Sequence, residues 1–505
     1  MIYLSNKTRL LGTAGLLLFA LNAIAQQPQT AQLTFEVDST YNTALNVLDV
    51  RYSPAPGIGL SDVQMQVYEV ENRPMTFSVE QPRLFNLILT LNPLAKPNLP
   101  QIEWQEKLAQ QTIQLFVSPG DSLKIKVSAN GQVAFEGKTA ANQQFLTTYF
   151  SEKIYDYLPK MGYSPNKPQN PQVLKSMDSL QQVRQKVYNQ LKENQEFKPS
   201  FDAFVQAMLL VEPYTIKRLV TAKESHSGGQ YKLSAAQDET LKKITLDNFK
   251  LLPDDALLYK GYRDELKQFL IIKVVDKYPL KPTPAGFVLG AQALQYGFQI
   301  SDELLKDYPR QREYMLTYWV DYATTLTNDD DIAPTLLAEY YRLYPQSDLN
   351  KHFAKTLITK SKLKLGEAAP DFTLPDRDNK PVALSSLQGK PVLLIFCYNL
   401  RQHELIMKPL EEKYGNRMTF LYVGATPNVS FESWQSIVSE SRAGVQQLYA
   451  NDQETERLKD SYWGTMPYPF VLLDAAGKVA RRWIPQEFPD NKTLQKEVNG
   501  LMGEK

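Results

Sequence analysis

The inventory of reactive side chains is short. The chain has 505 residues, one cysteine (Cys397) and three histidines (His226, His352 and His403). A lone thiol cannot close a disulfide within its own chain, so two-thiol chemistry would need a second molecule. The densest run of chemistry-bearing side chains is Arg401-Gln402-His403-Glu404, just beyond that cysteine. His403-Glu404-Leu405-Ile406-Met407 opens like the zinc motif HExxH, whose two histidines share a metal from one helix face. Met407 stands where the second histidine should be, so no metal site is expected. Asn328-Asp329-Asp330-Asp331 lacks the spaced oxygen ligands and closing glutamate of a calcium loop, and reads as a solvated helix-capping loop. No Ser-His-Asp set, phosphate loop or dinucleotide fingerprint stands out, and no cofactor is expected.

The totals limit what partners this inventory can serve. A chain of 505 residues has room for about three domains. Its 43% hydrophobic and 22% charged content is that of ordinary globular protein. A formal charge of +1 suggests neither nucleic acid nor an anionic membrane as partner. The 28 tyrosines and 22 phenylalanines read as packing residues rather than a glycan platform. Lys7 and Arg9 precede an apolar stretch, Leu10 to Leu21, and Ala23-Ile24-Ala25 supplies the small residues that signal peptidase requires. This pattern predicts a signal peptide over residues 1–25, cleaved after Ala25. The apolar stretch falls well short of the roughly 20 residues that span a bilayer. No cysteine lies at the cleavage point to take a lipid, so the expected location is the periplasm or the exterior, with no membrane span after cleavage. Such compartments favour disulfides. This chain can make none within itself, so packed cores must hold it together.

Three kinds of patterning follow one another. Residues 30–138 read as an antiparallel, sandwich-like β-domain. Leu33-Thr34-Phe35-Glu36-Val37 alternates as a half-buried strand does. Ile113, Leu115 and Val117 lead to a turn at Ser118-Pro119-Gly120-Asp121. Leu123, Ile125 and Val127 then lead to Asn130-Gly131, a strong hairpin signal, before Val133 and Phe135. Residues 139–362 repeat apolar side chains at three- and four-residue spacing, predicting an all-helical middle domain. Helices are expected from Ala140, Gln172, Ser200, Ala235, Asp254, Pro284, Asp302, Pro334 and Leu349, with Pro171, Pro213 and Pro279 at helix ends. Residues 363–505 alternate strand and helix patterns, predicting an α/β domain. The expected fold class is therefore multidomain α+β.

The last block resembles a known family. Leu365-Gly366-Glu367-Ala368-Ala369-Pro370-Asp371-Phe372-Thr373-Leu374 is followed by Val382-Ala383-Leu384-Ser385-Ser386-Leu387-Gln388-Gly389-Lys390 and the apolar run Pro391 to Phe396. This is similar to the opening of redoxin domains, especially the TlpA-like thiol–disulfide oxidoreductases of bacterial envelopes. Leu473-Asp474-Ala475-Ala476-Gly477-Lys478-Val479 resembles the family's late hairpin. Upstream, Val117 to Leu123 and Gly137-Lys138-Thr139-Ala140-Ala141-Asn142 resemble the β-domain that often precedes such modules. The resemblance implies a thioredoxin-like fold over residues 363–505. It also implies a CxxC at the start of the helix after the central strand, where the helix end lowers the first thiol's pKa and the second thiol resolves the mixed disulfide.

Counting from Gly389-Lys390, the CxxC positions fall on Arg401-Gln402-His403-Glu404. The family's helix proline, eight residues past its first cysteine, matches Pro409. Both thiols are therefore replaced, by Arg401 and Glu404. Cys397 lies before the nucleophile position, where the family usually has tryptophan. It reads either as a shifted nucleophile or, preferably, as a small apolar residue in a buried corner. It does not match the peroxidatic position of peroxiredoxins, which falls near Leu405. Glu404 suits a helix's first turn, and Arg401 either binds a carboxylate or is solvated. The family's cis-proline loop aligns on Tyr468, flanked by Pro467 and Pro469, and either proline could be cis. The expected function is a redox-inactive binding or scaffold module of the cell envelope, with an envelope protein or peptide as partner. The alternative is a thiol–disulfide oxidoreductase or antioxidant protein using Cys397 or a partner's thiol.

Overall fold

The computed structural model describes residues 30–37, 47–52, 64–69, 75–78, 82–91, 109–128, 132–151, 171–194, 197–224, 235–279, 281–283, 286–325, 331–347, 349–397, 400–425, 429–438, 445–463, 470–484 and 492–503. The signal-like segment, Asn130-Gly131, Asn328 to Asp330 and the loop holding Pro467, Tyr468 and Pro469 lie outside these residues. The chain divides into two compact units, Met1–Phe269 and Leu270–Lys505.

The first unit begins with eight strands: β1 (Thr30–Val37), β2 (Val47–Tyr52), β3 (Gln64–Glu69), β4 (Met75–Ser78), β5 (Arg83–Leu91), β6 (Ala109–Val117), β7 (Ser122–Val127) and β8 (Val133–Gly137). They form two four-stranded sheets, ordered β4-β1-β7-β8 and β3-β2-β5-β6. The expected turn between β6 and β7 is present. Asp121 N–H donates to the Ser118 carbonyl at 3.1 Å, and Ser118 N–H donates to Asp121 Oδ2 at 2.8 Å. The domain is not wholly antiparallel, because β1 and β7 run parallel from Gln32↔Ser122 to Val37↔Val127. Parallel neighbours need a long connection. The stretch from β1 to β7 supplies one, which local alternation could not reveal.

Helices α1 (Ala140–Ser151), α2 (Pro171–Asn194), α3 (Pro199–Glu224), α4 (Ala235–Asn248) and α5 (Lys260–Lys277) follow, with a 3₁₀ turn at Asp254–Leu258. Pro213 lies inside α3, not at its end. A proline there removes one backbone bond, and the apolar stripe from Phe201 to Val211 carries the helix through it, all of these core positions being buried. The α1 side chain Gln143 completes the edge of β6: its amide donates to the Phe116 carbonyl at 2.7 Å, and its oxygen accepts from Phe116 N–H at 3.0 Å.

The second unit begins within α5 and continues with a short antiparallel pair, β9 (Lys281–Thr283) and β10 (Gly286–Val288). This corrects the expectation of an all-helical stretch and of a helix from Pro284. Pro282 and Gly286 both disfavour a helix, the first by lacking a donor and the second through backbone entropy. Helices α6 (Ala291–Leu304), α7 (Pro309–Thr325), α8 (Ile332–Leu343) and α9 (Leu349–Lys362) come next. Trp319 of α7 is buried where Gly297 of α6 leaves room, since a Cβ on Gly297 would stand 2.8 Å from the indole.

Beyond α9 lie a hairpin of β11 (Thr373–Pro375) and β12 (Pro381–Ala383), then β13 (Val392–Cys397), α10 (Leu400–Tyr414), β14 (Thr419–Gly424), α11 (Phe431–Ile437), β15 (Val445–Tyr449), α12 (Asp452–Leu458), β16 (Phe470–Leu473), β17 (Val479–Ile484) and α13 (Lys492–Leu501). The five-stranded sheet has the order β15-β14-β13-β16-β17. β13, β14 and β15 are parallel, β16 runs against β13, and β17 runs against β16 and so along the direction of β13. This is the arrangement of a thioredoxin-like sheet. Its edges are closed as natural sheets require, by a bridge from Ala368 to Lys478 on one side and from Asp376 to Leu448 on the other.

Candidate functional site

The central strand β13 is buried at every residue, as expected where layers cover both faces. Val392, Leu394 and Phe396 share one core with Phe372, Tyr462 and Trp463. Leu393, Ile395 and Cys397 share the other with Met407, Leu410 and Tyr414 of α10 and with Trp434. The strand aims its carboxyl end at the first turn of α10, where exposed backbone N–H groups and the helix dipole would favour an anion or a thiolate. In an open α/β sheet this end is where ligands gather.

The residues aligned with the CxxC sit at that helix start. Arg401, Gln402 and His403 are its second to fourth residues. Glu404 falls just past the first turn, which holds no acidic residue, because the helix begins at Leu400. The expected first-turn contribution of Glu404 to the dipole is corrected accordingly. Pro409 is inside α10, as its match to the family's helix proline required.

Cys397 is the last residue of β13, not a residue beyond it, and pairs with Gly424 in the parallel ladder. It is 1% exposed, and its thiol faces the Val423 carbonyl oxygen at 3.5 Å as donor. Ala425 N–H closes the corner by donating to the Cys397 carbonyl at 3.2 Å. Gly424 is open for a reason: a Cβ there would stand 2.5 Å from Trp434 Nε1 and 2.8 Å from Cδ1. The buried indole of Trp434 thus lies flat against the end of β14, beside the strand that carries Cys397. A nucleophilic thiol needs access and a lowered pKa; this one has core packing and a carbonyl acceptor.

Two further polar groups in this region were not foreseen. The Tyr422 phenol donates to Glu411 Oε1 where β14 meets α10, with both side chains buried. On the opposite face the Tyr462 phenol donates to the Pro370 carbonyl. Burial, reinforced by the Asp371 charge, raises the Tyr462 pKa far above that of a free phenol. The signal for Trp434 was present in Tyr422-Val423-Gly424, since a glycine ending an apolar strand marks a close approach. Glu411 had no such signal, because helical spacing alone does not distinguish a buried carboxyl from a solvated one. Among the described residues no group of three or more histidine, cysteine, aspartate or glutamate side chains could hold a metal ion. No helix among them is long and apolar enough to cross a membrane.

No family model matches the chain, and no curated protein matches it. Solved structures do match a part of it. A protein named as a thiol–disulfide oxidoreductase from Bacteroides vulgatus is 20% identical, covering 27% of this chain and 98% of its own, with a TM-score of 0.23. A protein named as the thiol:disulfide interchange protein DsbE from Chlorobium tepidum is 24% identical over 28% of this chain and 99% of its own, with a TM-score of 0.24. Yeast Sco1 with copper bound is 18% identical over 27% of this chain and 94% of its own, with a TM-score of 0.23. These neighbours are thioredoxin-fold proteins, and they correspond to a part of the chain only.

Proposed function

We propose that this chain is an exported protein of the bacterial envelope whose redoxin-type module has lost thiol chemistry and serves as a binding or scaffold module. Its partner would be an envelope protein or a peptide. The observation that carries this reading is the state of the chain's single thiol. Cys397 is 1% exposed and directed at the Val423 carbonyl. Thiol–disulfide exchange begins with a thiolate attacking an accessible sulfur, and the core packing around this thiol denies a partner disulfide that access. The positions that would supply two thiols at the helix start are Arg401 and Glu404.

Reduction of insulin or glutathione disulfide by the purified mature protein tests the proposal, with Cys397→Ala alongside. No turnover is expected from either. Turnover that disappears in Cys397→Ala would instead establish the alternative, an oxidoreductase working through one thiol. Arg401→Cys combined with Glu404→Cys should create disulfide-reductase activity, because it restores two thiols to the start of α10. Expression with the full leader should yield a mature N-terminus at Gln26, read by mass spectrometry.

A further inference from the structure

Helix α9 leads into the redoxin-type module and converges on Asp460. Lys355 Nζ meets Asp460 Oδ1 at 2.9 Å. The Thr359 hydroxyl donates to the Asp460 carbonyl at 3.3 Å, and Lys362 Nζ donates to the same carbonyl at 2.9 Å. Lys355, Thr359 and Lys362 are four and three residues apart, which places them on one helix face. Arg482 Nη1 then donates to the Leu363 carbonyl at 3.0 Å, fixing the end of the helix. The Lys355 hydrogen bond holds the Asp460 carboxyl below the ordinary aspartate range against a small opposing effect of burial, with Lys362 and Lys459 adding to it.

The gripped residue lies in an unusual element. Lys459–Trp463 is a π-turn that continues directly from α12. Such turns are rare and concentrate at functional sites. Its last residues are held from every side. The Trp483 indole donates to the Tyr462 carbonyl at 2.6 Å, and the Tyr462 phenol donates to the Pro370 carbonyl. Trp483 has a φ of 52°, a left-handed conformation that is costly for a bulky side chain and persists only where the surroundings over-determine it. The rings of Tyr462 and Trp463 lie 5.3 and 4.6 Å from that of Phe396. Phe396 immediately precedes Cys397 and the start of α10.

We propose that α9 is a latch: by holding Asp460 it keeps the π-turn in its wide form, and releasing Asp460 lets the turn rewind and loosens the end of β13 through Phe396. The arrangement suits a reversible device. The Lys355–Asp460 pair is partly exposed on both sides, and such pairs contribute little to stability. The carbonyl bonds add modestly. A weak hold on an irregular turn can open without unfolding the module. The coupling runs through one physical chain, from α9 to Asp460, to Tyr462 and Trp463, to Phe396, to the candidate site.

Amide hydrogen exchange on the full mature chain tests this. Lys355→Ala combined with Lys362→Ala should speed exchange at residues 459–463 by about tenfold, raise it less at 400–403, and leave α7 unchanged. Acceleration confined to α9 would overturn the latch, since the turn would then hold itself. Equal acceleration throughout the unit would also overturn it, since α9 would then be mere scaffold. The charge-swapped pair, Lys355→Glu with Asp460→Lys, should return exchange at 459–463 toward that of the native chain. Failure of the swap to improve on Lys355→Glu alone would sink the proposal independently.

Discussion

The two ends of the redoxin-type sheet are built on different terms. At the end away from the start of α10, a backbone turn holds the chain through one aspartate. Asp474 Oδ1 accepts from the N–H groups of Ala476 and Lys478, each at 2.9 Å. The β11–β12 hairpin, bridged through Asp376 to Leu448, uses the same device: Asp376 Oδ1 accepts from the N–H groups of Asp378 and Lys380, also at 2.9 Å. Gly477 and Asn379 take the positive φ that closes each turn, at 76° and 60°. At the other end side chains do the packing: Cys397 faces a carbonyl and Trp434 fills the space over Gly424. On the proposed function, the residues that make the fold and those that perform thiol exchange are separable, and one set persists after the other is gone.

The largest expected effect lies outside both ends and sets their scale. Asp321 in α7 is half-buried, with a covered oxygen, Oδ1, that has no hydrogen-bond partner, and desolvation pushes its pKa up to about 6. A folded-state pKa above the unfolded value means that the native state keeps its proton longer. The resulting penalty is absent below about pH 4, grows through about pH 6 and is complete above that. Asp321→Asn should therefore stabilise the protein at pH 7 by up to about 3 kcal/mol and change little at pH 4. Urea unfolding at the two pH values checks this, and an equal effect at both would show that the carboxyl is not strained.

Gly424→Ala should cost about 1–3 kcal/mol through overpacking against Trp434. A neutral result would mean that the Cys397 end is looser than the 2.5 Å approach implies. Asp474→Ala should cost about 1–2 kcal/mol in thermal or chemical unfolding, because two backbone donors lose a charged acceptor to water. If it cost more than Gly424→Ala, the hairpin end would be the less tolerant of the two. Cys397→Ala should be the mildest, about 1 kcal/mol for roughly one buried methylene's worth of surface. Thiol titration with a small alkylating reagent should show Cys397 unreactive in the folded protein and reactive in denaturant.

Much of the redoxin-type module was legible because its signals are local. Asp474 to Lys478 carries its turn chemistry within five residues, whereas the like turn at Asp376 to Lys380 went unread. The apolar run from Val392 could only be a doubly buried strand once a helix pattern followed it. In the β-domain, alternation exposed β6, β7 and the return strand β8, but the parallel pairing of β1 with β7 was silent. Helical periodicity set α9 correctly at both ends and misread Pro284, because apolar spacing around Phe287 imitates a helix turn that Pro282 and Gly286 forbid. The helical pattern in α3 also ran through Pro213, where an end had been expected.

Residue types and their local order alone established that this chain has one thiol and no dithiol within it, a turn at Ser118 to Asp121 and an apolar run from Pro391 to Phe396. Those properties depend on composition and on neighbours within a few residues, so no partner from elsewhere was needed to read them. Whether the thiol is reactive was a different matter. The seal over Cys397 is made with Val423 and Trp434, the π-turn is braced by Pro370 and Trp483, and Asp460 is held by α9. Each of these contacts joins residues separated by tens of positions along the chain. Burial and access are properties of packed surroundings, and only the folded chain brings those surroundings together.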